Sequence, residues 1–181
     1  MPRVTIDFDL IIETALQVVD DAGPDALSLS SVARELGVGP SALYTHVDGL
    51  SGLQEAAAIA STRMLAAELR DAAIGRAGDD AVRSVATAYR SYATTYPGRV
   101  SSALRVDEAP ALDDAVDELD GVFALLGIAR GLARDPAAQA ARNVRRAIHG
   151  FVVSERADTV AAQTDGDYES FVLMLCRMLE P

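Results

Sequence analysis

Apolar positions in the first quarter of the chain recur at helical spacing. Phe8, Ile11, Ile12, Ala15, Leu16 and Val19 fall three and four residues apart, which predicts a helix over 7–22 with one face in a core. Asp7 and Asp9 suit its N-terminus. Gly23-Pro24 ends it, because glycine takes the left-handed cap and proline cannot continue the helix. A second helix is predicted from Ser28, a hydroxyl cap, to Gly37, with Leu29, Val32, Ala33 and Leu36 turned inward. After Val38-Gly39, Pro40 opens a third segment that carries Ala42, Leu43, Tyr44 and Val47. Three short helices close together make one small unit.

Longer helices with brief breaks follow. One is expected over 50–74, with Leu53, Ala57, Ala60, Met64, Ala67 and Leu69 or Asp71 near the seam, and another over 80–96, stopped by Pro97-Gly98. A short piece over 99–106 precedes a helix over 109–132 with the stripe Leu112, Val116, Leu119, Val122, Phe123 and Leu126. Asp135-Pro136 opens a further helix to about 157, and the last covers 168–179. The most polar break, 158–167, is expected to be mobile. There is no repeat and no low-complexity linker. The fold class expected is all-α, with an N-terminal three-helix unit over 1–49 and a larger helical domain over 50–181.

Composition agrees with helices. The 181 residues include 33 alanines, aromatics make up 5%, and tryptophan is absent. All 16 basic residues are arginine, a bias of composition to which no function attaches. The net charge of −11 opposes a protein that coats nucleic acid or anionic membrane. The single cysteine, Cys176, builds neither an intrachain disulfide nor a CxxC metal site, so the cytoplasm is expected. Asp7 and Asp9 close behind the N-terminus, and no long apolar run anywhere, speak against a signal peptide and a membrane helix. His46 and His149 are the only histidines, so neither a metal site nor a cofactor is expected. No nucleophile setting and no glycine-rich phosphate loop is visible, which argues against an enzyme.

Within Leu29–Val47, Ala33 is followed by Gly37 four residues on and by Leu43 six further on. Two helices joined by a tight turn need a small residue at their approach, a residue tolerant of positive φ in the turn, and an apolar lock on the second helix. These three fill those roles, although the spacing alone also fits an ordinary helical hairpin. With the preceding helix, Leu36-Gly37-Val38 and Leu43-Tyr44-x-His46-Val47, the stretch from Leu10 to Leu53 resembles the TetR family of bacterial transcriptional regulators. A weaker resemblance, to the WHG-type C-terminal domain of some members, lies in Ala88–Gly98 and Ala147–Glu155, where Ile148-His149-Gly150 stands for Trp-His-Gly.

The resemblance implies a ligand-responsive regulator of transcription, a repressor, acting as an all-helical homodimer. Its N-terminal helices bind a near-palindromic double-stranded DNA operator, and the bundle binds an unidentified small-molecule effector. In a helix-turn-helix the second helix enters the major groove, so Pro40, Ser41, Thr45 and His46 are candidates for the DNA face. The family's motif places Tyr44 at a backbone phosphate and Ser28 at a helix N-terminus facing one, and Arg34 adds a salt-sensitive contact. For the subunit contact, the last helix carries the stripe Tyr168, Phe171, Val172, Leu175 and Leu179, with Leu173, Met174, Cys176 and Met178 over much of the remaining circumference. A terminal helix apolar nearly all round needs two partners, so Phe171, Val172, Leu175 and Leu179 with Val144, Ile148 and Phe151 are the interface candidates.

Two features depart from the family. Leu50 stands where most members carry a phosphate-binding lysine, and residues 1–50 hold two arginines against eight acids. Phosphate neutralisation supplies much of protein–DNA affinity, so weak nonspecific binding is expected. The same facts keep open a TetR-like dimeric sensor that no longer binds DNA; a small helical enzyme is a third reading. Tyr89, Tyr92 and Tyr96 are spaced to share one helix face, either as core or as lining of an effector pocket with Phe123 and His149 opposite. Asp113, Asp117 and Asp120 read as a solvated stripe, Arg142, Arg145 and Arg146 as a surface or subunit-contact cluster, and Cys176 as a small hydrophobe.

Overall fold

The computed structural model describes residues 6–102, 109–156 and 165–181, and among these every regular element is helical. In chain order they are α1 (Phe8–Ala22), a 3₁₀ turn (Pro24–Ala26), α2 (Leu29–Glu35), a 3₁₀ helix (Pro40–Thr45), α3 (Gly49–Ala73), α4 (Gly78–Thr95), α5 (Pro97–Ser102), α6 (Pro110–Ala129), α7 (Arg134–Arg156) and α8 (Asp165–Met178). The all-α expectation holds. The chain divides into two compact units, the first from Met1–Thr62 and Tyr96–Ala115, the second from Arg63–Thr95 and Val116–Pro181. The first unit thus takes in, beyond residue 49, the first part of α3, the whole of α5 and the start of α6.

The first unit is built on caps. Asp7 Oδ1 accepts from the Leu10 N–H at 2.9 Å to start α1, and Gly23, at φ 82°, ends it. Ser28 and Ser31 form a reciprocal capping box at the start of α2: the Ser31 N–H donates to Ser28 Oγ at 3.0 Å and the Ser28 N–H to Ser31 Oγ at 2.9 Å. At the other end the Val38 N–H donates to the Ala33 carbonyl at 2.9 Å and the Gly37 N–H to the Arg34 carbonyl at 3.1 Å, with Gly37 at φ 68°. Ala33 and Leu43 are fully buried, in one aliphatic core with Ile11, Leu16, Val19, Val32, Val47 and Leu53. The small residue, the turn glycine and the apolar lock thus stand where the spacing placed them.

In the second unit α4 packs on α7 and α8, and α7 on α8. On α7, Ala137, Ala141, Val144, Ile148 and Val152 are buried at three- and four-residue spacing, so small alanines set one end of the contact and branched side chains the other. Arginine–carboxylate pairs join helices far apart in sequence. Arg90 pairs with Glu155, Arg83 with Glu169, and Arg130 with both Asp79 and Glu180.

Several sequence expectations are corrected. The third helix is 3₁₀ rather than α, the form short helices take when Pro40 opens six residues. Pro97-Gly98 does not merely stop α4: Pro97 is the first residue of α5, and Gly98 is buried within it. A Cβ on Gly98 would lie 2.5 Å from the Val19 carbonyl oxygen, so glycine there permits α5 to touch α1. Residues 103–106 of the predicted short helix lie outside the described residues, as does most of the 158–167 loop; α8 already begins at Asp165. The buried seam of α3 runs through Leu53, Ala57, Ala58, Leu65, Ala66 and Leu69, leaving Met64 and Ala67 exposed, and Phe8 is exposed on α1. Asp113 and Asp117 are exposed, but Asp120 is buried, with Oδ1 accepting from Arg145 Nε at 2.6 Å. Arg145 accordingly pairs inward rather than serving the surface.

Candidate nucleic-acid interface

The turn between α2 and the 3₁₀ helix fixes one outward edge of the first unit. Leu43 and Val47 point into the core, and that anchors the 3₁₀ helix while Pro40, Ser41, Tyr44, Thr45 and His46 stay exposed. Tyr44 is 62% exposed, a large side chain that a core-building residue would not leave in water. The Thr45 hydroxyl donates to the Ala42 carbonyl at 3.0 Å, so it is already engaged locally, though its oxygen retains acceptor capacity. This edge carries a phenol, an imidazole and two hydroxyls, with no arginine or carboxylate among them.

The two remaining candidates stand differently. Ser28 is half-buried and committed to the cap, accepting from the Ser31 N–H and donating to Ser31 Oγ at 3.0 Å. Arg34 is exposed, but Nε and Nη2 donate to Glu35 Oε1 at 3.3 and 3.1 Å, which offsets the charge that a phosphate would use. Between α1 and α2 lies an open groove of about 680 Å³ lined by Glu13, Asp21 and Glu35 against the single cation Arg34. That groove is therefore acidic, consistent with the charge imbalance in the sequence.

In the second unit, Tyr89 and Tyr92 are buried on α4, and the Tyr89 hydroxyl lies 3.1 Å from His149 Nδ1 on α7. Burial pushes the Tyr89 phenol up to about 12, with Arg145 opposing and Asp120 reinforcing the shift. Burial, and then the Arg145 charge, push His149 below its ordinary value, which favours the neutral ring. The proposed common face of three tyrosines is corrected: Tyr96 follows the end of α4, belongs to the first unit, and lies under the Arg99 guanidinium at 4.1 Å from its ring centroid. Phe123 is core.

The expected subunit face is also corrected. Val144, Ile148, Val172, Leu175 and Leu179 are buried within the second unit itself, and their side chains have no surface left to offer. Phe151 and Phe171 stack on one another at 4.3 Å and are half-buried. Exposed apolar side chains are instead Val153, Leu173 and Met174 on α7 and α8, with Leu125 and Ile128 on α6. Cys176 is buried and its thiol pushed up by that burial, the setting of a small hydrophobe. Among the described residues, no group of three His, Cys, Asp or Glu is placed to hold a metal ion, and no helix is long and apolar enough to cross a membrane.

Sequence reasoning missed the Asp20–Arg99 and Asp120–Arg145 pairs, whose partners are 79 and 25 residues apart with no local signal to link them.

Comparison with known proteins bears on both units. The family model for bacterial regulatory proteins of the tetR family matches residues 11–48, and that for the tetracyclin repressor-like C-terminal domain matches residues 82–178. An uncharacterised HTH-type transcriptional regulator of Mycobacterium tuberculosis is 35% identical over 175 residues, covering 94% of this chain and 80% of its own length. Two solved structures share the fold. A TetR variant from Acinetobacter baumannii AYE in complex with minocycline is 21% identical with a TM-score of 0.69, covering 97% of this chain and 95% of that one. BioQ with its double-stranded DNA operator is 19% identical with a TM-score of 0.71, covering 97% and 98%.

Proposed function

From the premise that this chain belongs to the tetR family of bacterial transcriptional regulators, we propose that it is a repressor that binds a near-palindromic operator as a homodimer and releases it when its C-terminal unit takes up a small molecule. The observation that carries the DNA half is the exposed edge Ser41, Tyr44, Thr45 and His46, held out from the fully buried Leu43. Tyr44 contacts a backbone phosphate, and Ser41, Thr45 and His46 face base edges or sugar–phosphate atoms. With no arginine on that edge, recognition rests on a few neutral hydrogen bonds, so the salt dependence is shallow for a DNA-binding protein.

The effector half rests on Tyr89 and His149, whose hydrogen bond joins α4 to α7 close to the Asp120–Arg145 pair. BioQ in its structure holds an operator and the Acinetobacter protein holds minocycline, and the same division of labour is proposed here. An effector shifts the dimer only by binding its DNA-incompetent arrangement more tightly than the competent one. A second subunit is proposed to cover the outward residues of α7 and α8, Val153, Leu173 and Met174, rather than the side chains already enclosed. No step of this function calls for an enzyme's active site, and it places the protein in the cytoplasm.

The acidic groove and the Arg34–Glu35 pair favour one rival, a dimeric sensor without DNA binding. The test is selection of random genomic fragments by the purified full chain at low salt, followed by sequencing. Enrichment of a near-palindromic motif that disappears in the Tyr44→Ala/His46→Ala variant, with dimer mass unchanged, supports the repressor reading. Enrichment unaffected by that variant removes the assigned edge. No enrichment from a folded dimer, with and without a cell extract to supply an effector, favours the sensor.

A further inference from the structure

We infer that Arg99 is a positioning residue for DNA reading, acting through Asp20 to fix α1, and with it the 3₁₀ helix, in register on α5. The inference rests on the DNA-binding reading above, and goes beyond it by assigning a role to residues remote from the outward edge. α5 has six residues, too few to hold a helical conformation or a position by itself, so its tertiary contacts decide where it lies. Those contacts are unusual for this chain. The Gly98 backbone sits against the Val19 carbonyl so closely that a Cβ could not be accommodated. That apposition sets the distance between the helices but is non-directional, and the Ser61 hydroxyl, which donates to the Arg99 carbonyl at 3.5 Å, holds α5 to α3 rather than to α1.

Direction comes from the ion pair. Arg99 Nε donates to both carboxylate oxygens of Asp20, at 2.9 and 3.1 Å, and its Nη2 also reaches Oδ2. The two side chains are only 10% and 15% exposed, and Tyr96 covers the guanidinium from one side. A planar fork on a carboxylate constrains angle as well as distance, which an ammonium on a flexible stem does not. Asp20 directly follows Val19, and Val19 shares one core with Leu16, Ala33 and Leu43. Leu43 in turn is the anchor behind Tyr44. A shift of α1 on α5 is thereby passed through close-packed side chains to the residues that face DNA.

The experiment compares the full chain with Arg99→Lys, Asp20→Asn and the charge exchange Asp20→Arg/Arg99→Asp. Two quantities are read: amide hydrogen exchange at His46 and Val47, whose N–H groups donate to the Leu43 carbonyl, and affinity for a fragment recovered by the parent protein. The expected result is exchange at His46 and Val47 roughly tenfold faster in Arg99→Lys, with a similar loss of operator affinity at a temperature where all variants are fully folded. Partial recovery in the charge exchange is also expected. Unchanged exchange at these amides, or a loss of affinity that only follows the folded fraction, overturns the inference and leaves the pair a purely structural one. If the parent recovers no DNA, the functional reading falls, and the exchange measurement alone decides whether Arg99 positions the 3₁₀ helix.

Discussion

The two units of this chain are held together by different kinds of interaction. The first has its caps and turns from residues close in sequence, Asp7 on Leu10, Ser28 on Ser31 and Val38 on Ala33, over an aliphatic core, with Asp20–Arg99 as a long-range pair added to them. The second is ordered at long range. Its alanine-rich helices are registered by arginine–carboxylate pairs between partners 25 to 86 residues apart, such as Asp120–Arg145 and Arg83–Glu169. Turn chemistry specifies a local shape and leaves an edge free to face outward. Interhelical pairs use polar groups inward, which suits a body that must hold polar atoms in its interior. The proposed division, with DNA reading on the first unit and effector sensing on the second, draws on this difference.

The largest effect that would expose this contrast comes from the core of the first unit. Leu43→Ala removes a fully buried side chain that few neighbours can replace, and is expected to destabilise the protein by about 2–5 kcal/mol in a urea titration. The same truncation at the exposed Leu173 is expected to change stability by less than about 0.5 kcal/mol in the isolated subunit. Equal costs at the two positions would mean that Leu43 is not the anchor described.

Next in size is a pH effect confined to the second unit. Because the folded Tyr89 phenol is pushed up to about 12, its contribution is fully present below the ordinary tyrosine value and is lost as pH rises through about 12. It is on the order of 2–3 kcal/mol. His149 is pushed down, so its contribution is present above the ordinary histidine value and declines as pH falls below it. Melting temperature should form a plateau between those limits, and Tyr89→Phe should weaken the alkaline limb, to which Tyr168 and Cys176, also pushed up by burial, add. An alkaline limb unchanged in Tyr89→Phe would assign it to those other groups.

How far this was visible in the sequence follows the same division. Ser28, Gly37 and Leu43 could be read because a cap, a left-handed turn and a helical lock each leave a mark within a few residues, whereas the outward Tyr44 followed only from the family's motif. The 3₁₀ form of the third helix was not visible, since its apolar spacing serves either helix over six residues. Asp120 looked solvated because it continues the spacing of Asp113 and Asp117, and only α7 reveals Arg145 opposite it. Gly98 read as a helix stop, although its reason for being glycine is Val19, far back in the chain. Five of the seven subunit candidates, all but Phe151 and Phe171, are enclosed in their own unit, because hydrophobicity marks what is buried without saying against what. Val144 and Leu175 satisfy the pattern inside their own unit.

A smaller effect separates backbone strain from packing. Gly37 has open space where a Cβ would go, yet sits at φ 68°, so Gly37→Ala is expected to cost about 1–2 kcal/mol through conformation alone. Gly121, within α6 and also with open space, has no such constraint. Gly121→Ala should stabilise by about 0.5–1 kcal/mol, because alanine loses less backbone freedom on forming the helix. Opposite signs in thermal melts would show that the glycine in the turn is required while the one in the bundle is incidental. Matching signs would remove the turn from the argument.

The smallest change in stability carries the most information about DNA. Arg34 and Glu35 are neighbours in sequence and strongly exposed, at 75% and 52% of their side-chain surface, so separating them in Glu35→Gln should alter stability by less than about 0.5 kcal/mol. Yet Glu35 both engages the Arg34 guanidinium at 3.1 Å and adds a negative charge to the groove between α1 and α2. Removing that charge frees one cation to meet a phosphate. The slope of log affinity against log salt should then steepen by roughly 0.9, the value for one released counterion, and affinity at low salt should rise. Glu118→Gln, which releases Arg63 in the second unit, is expected to leave the slope unchanged. If both variants steepened it equally, the acidic charge would act only as a diffuse field, and the first unit would lose its claim to the phosphate contact.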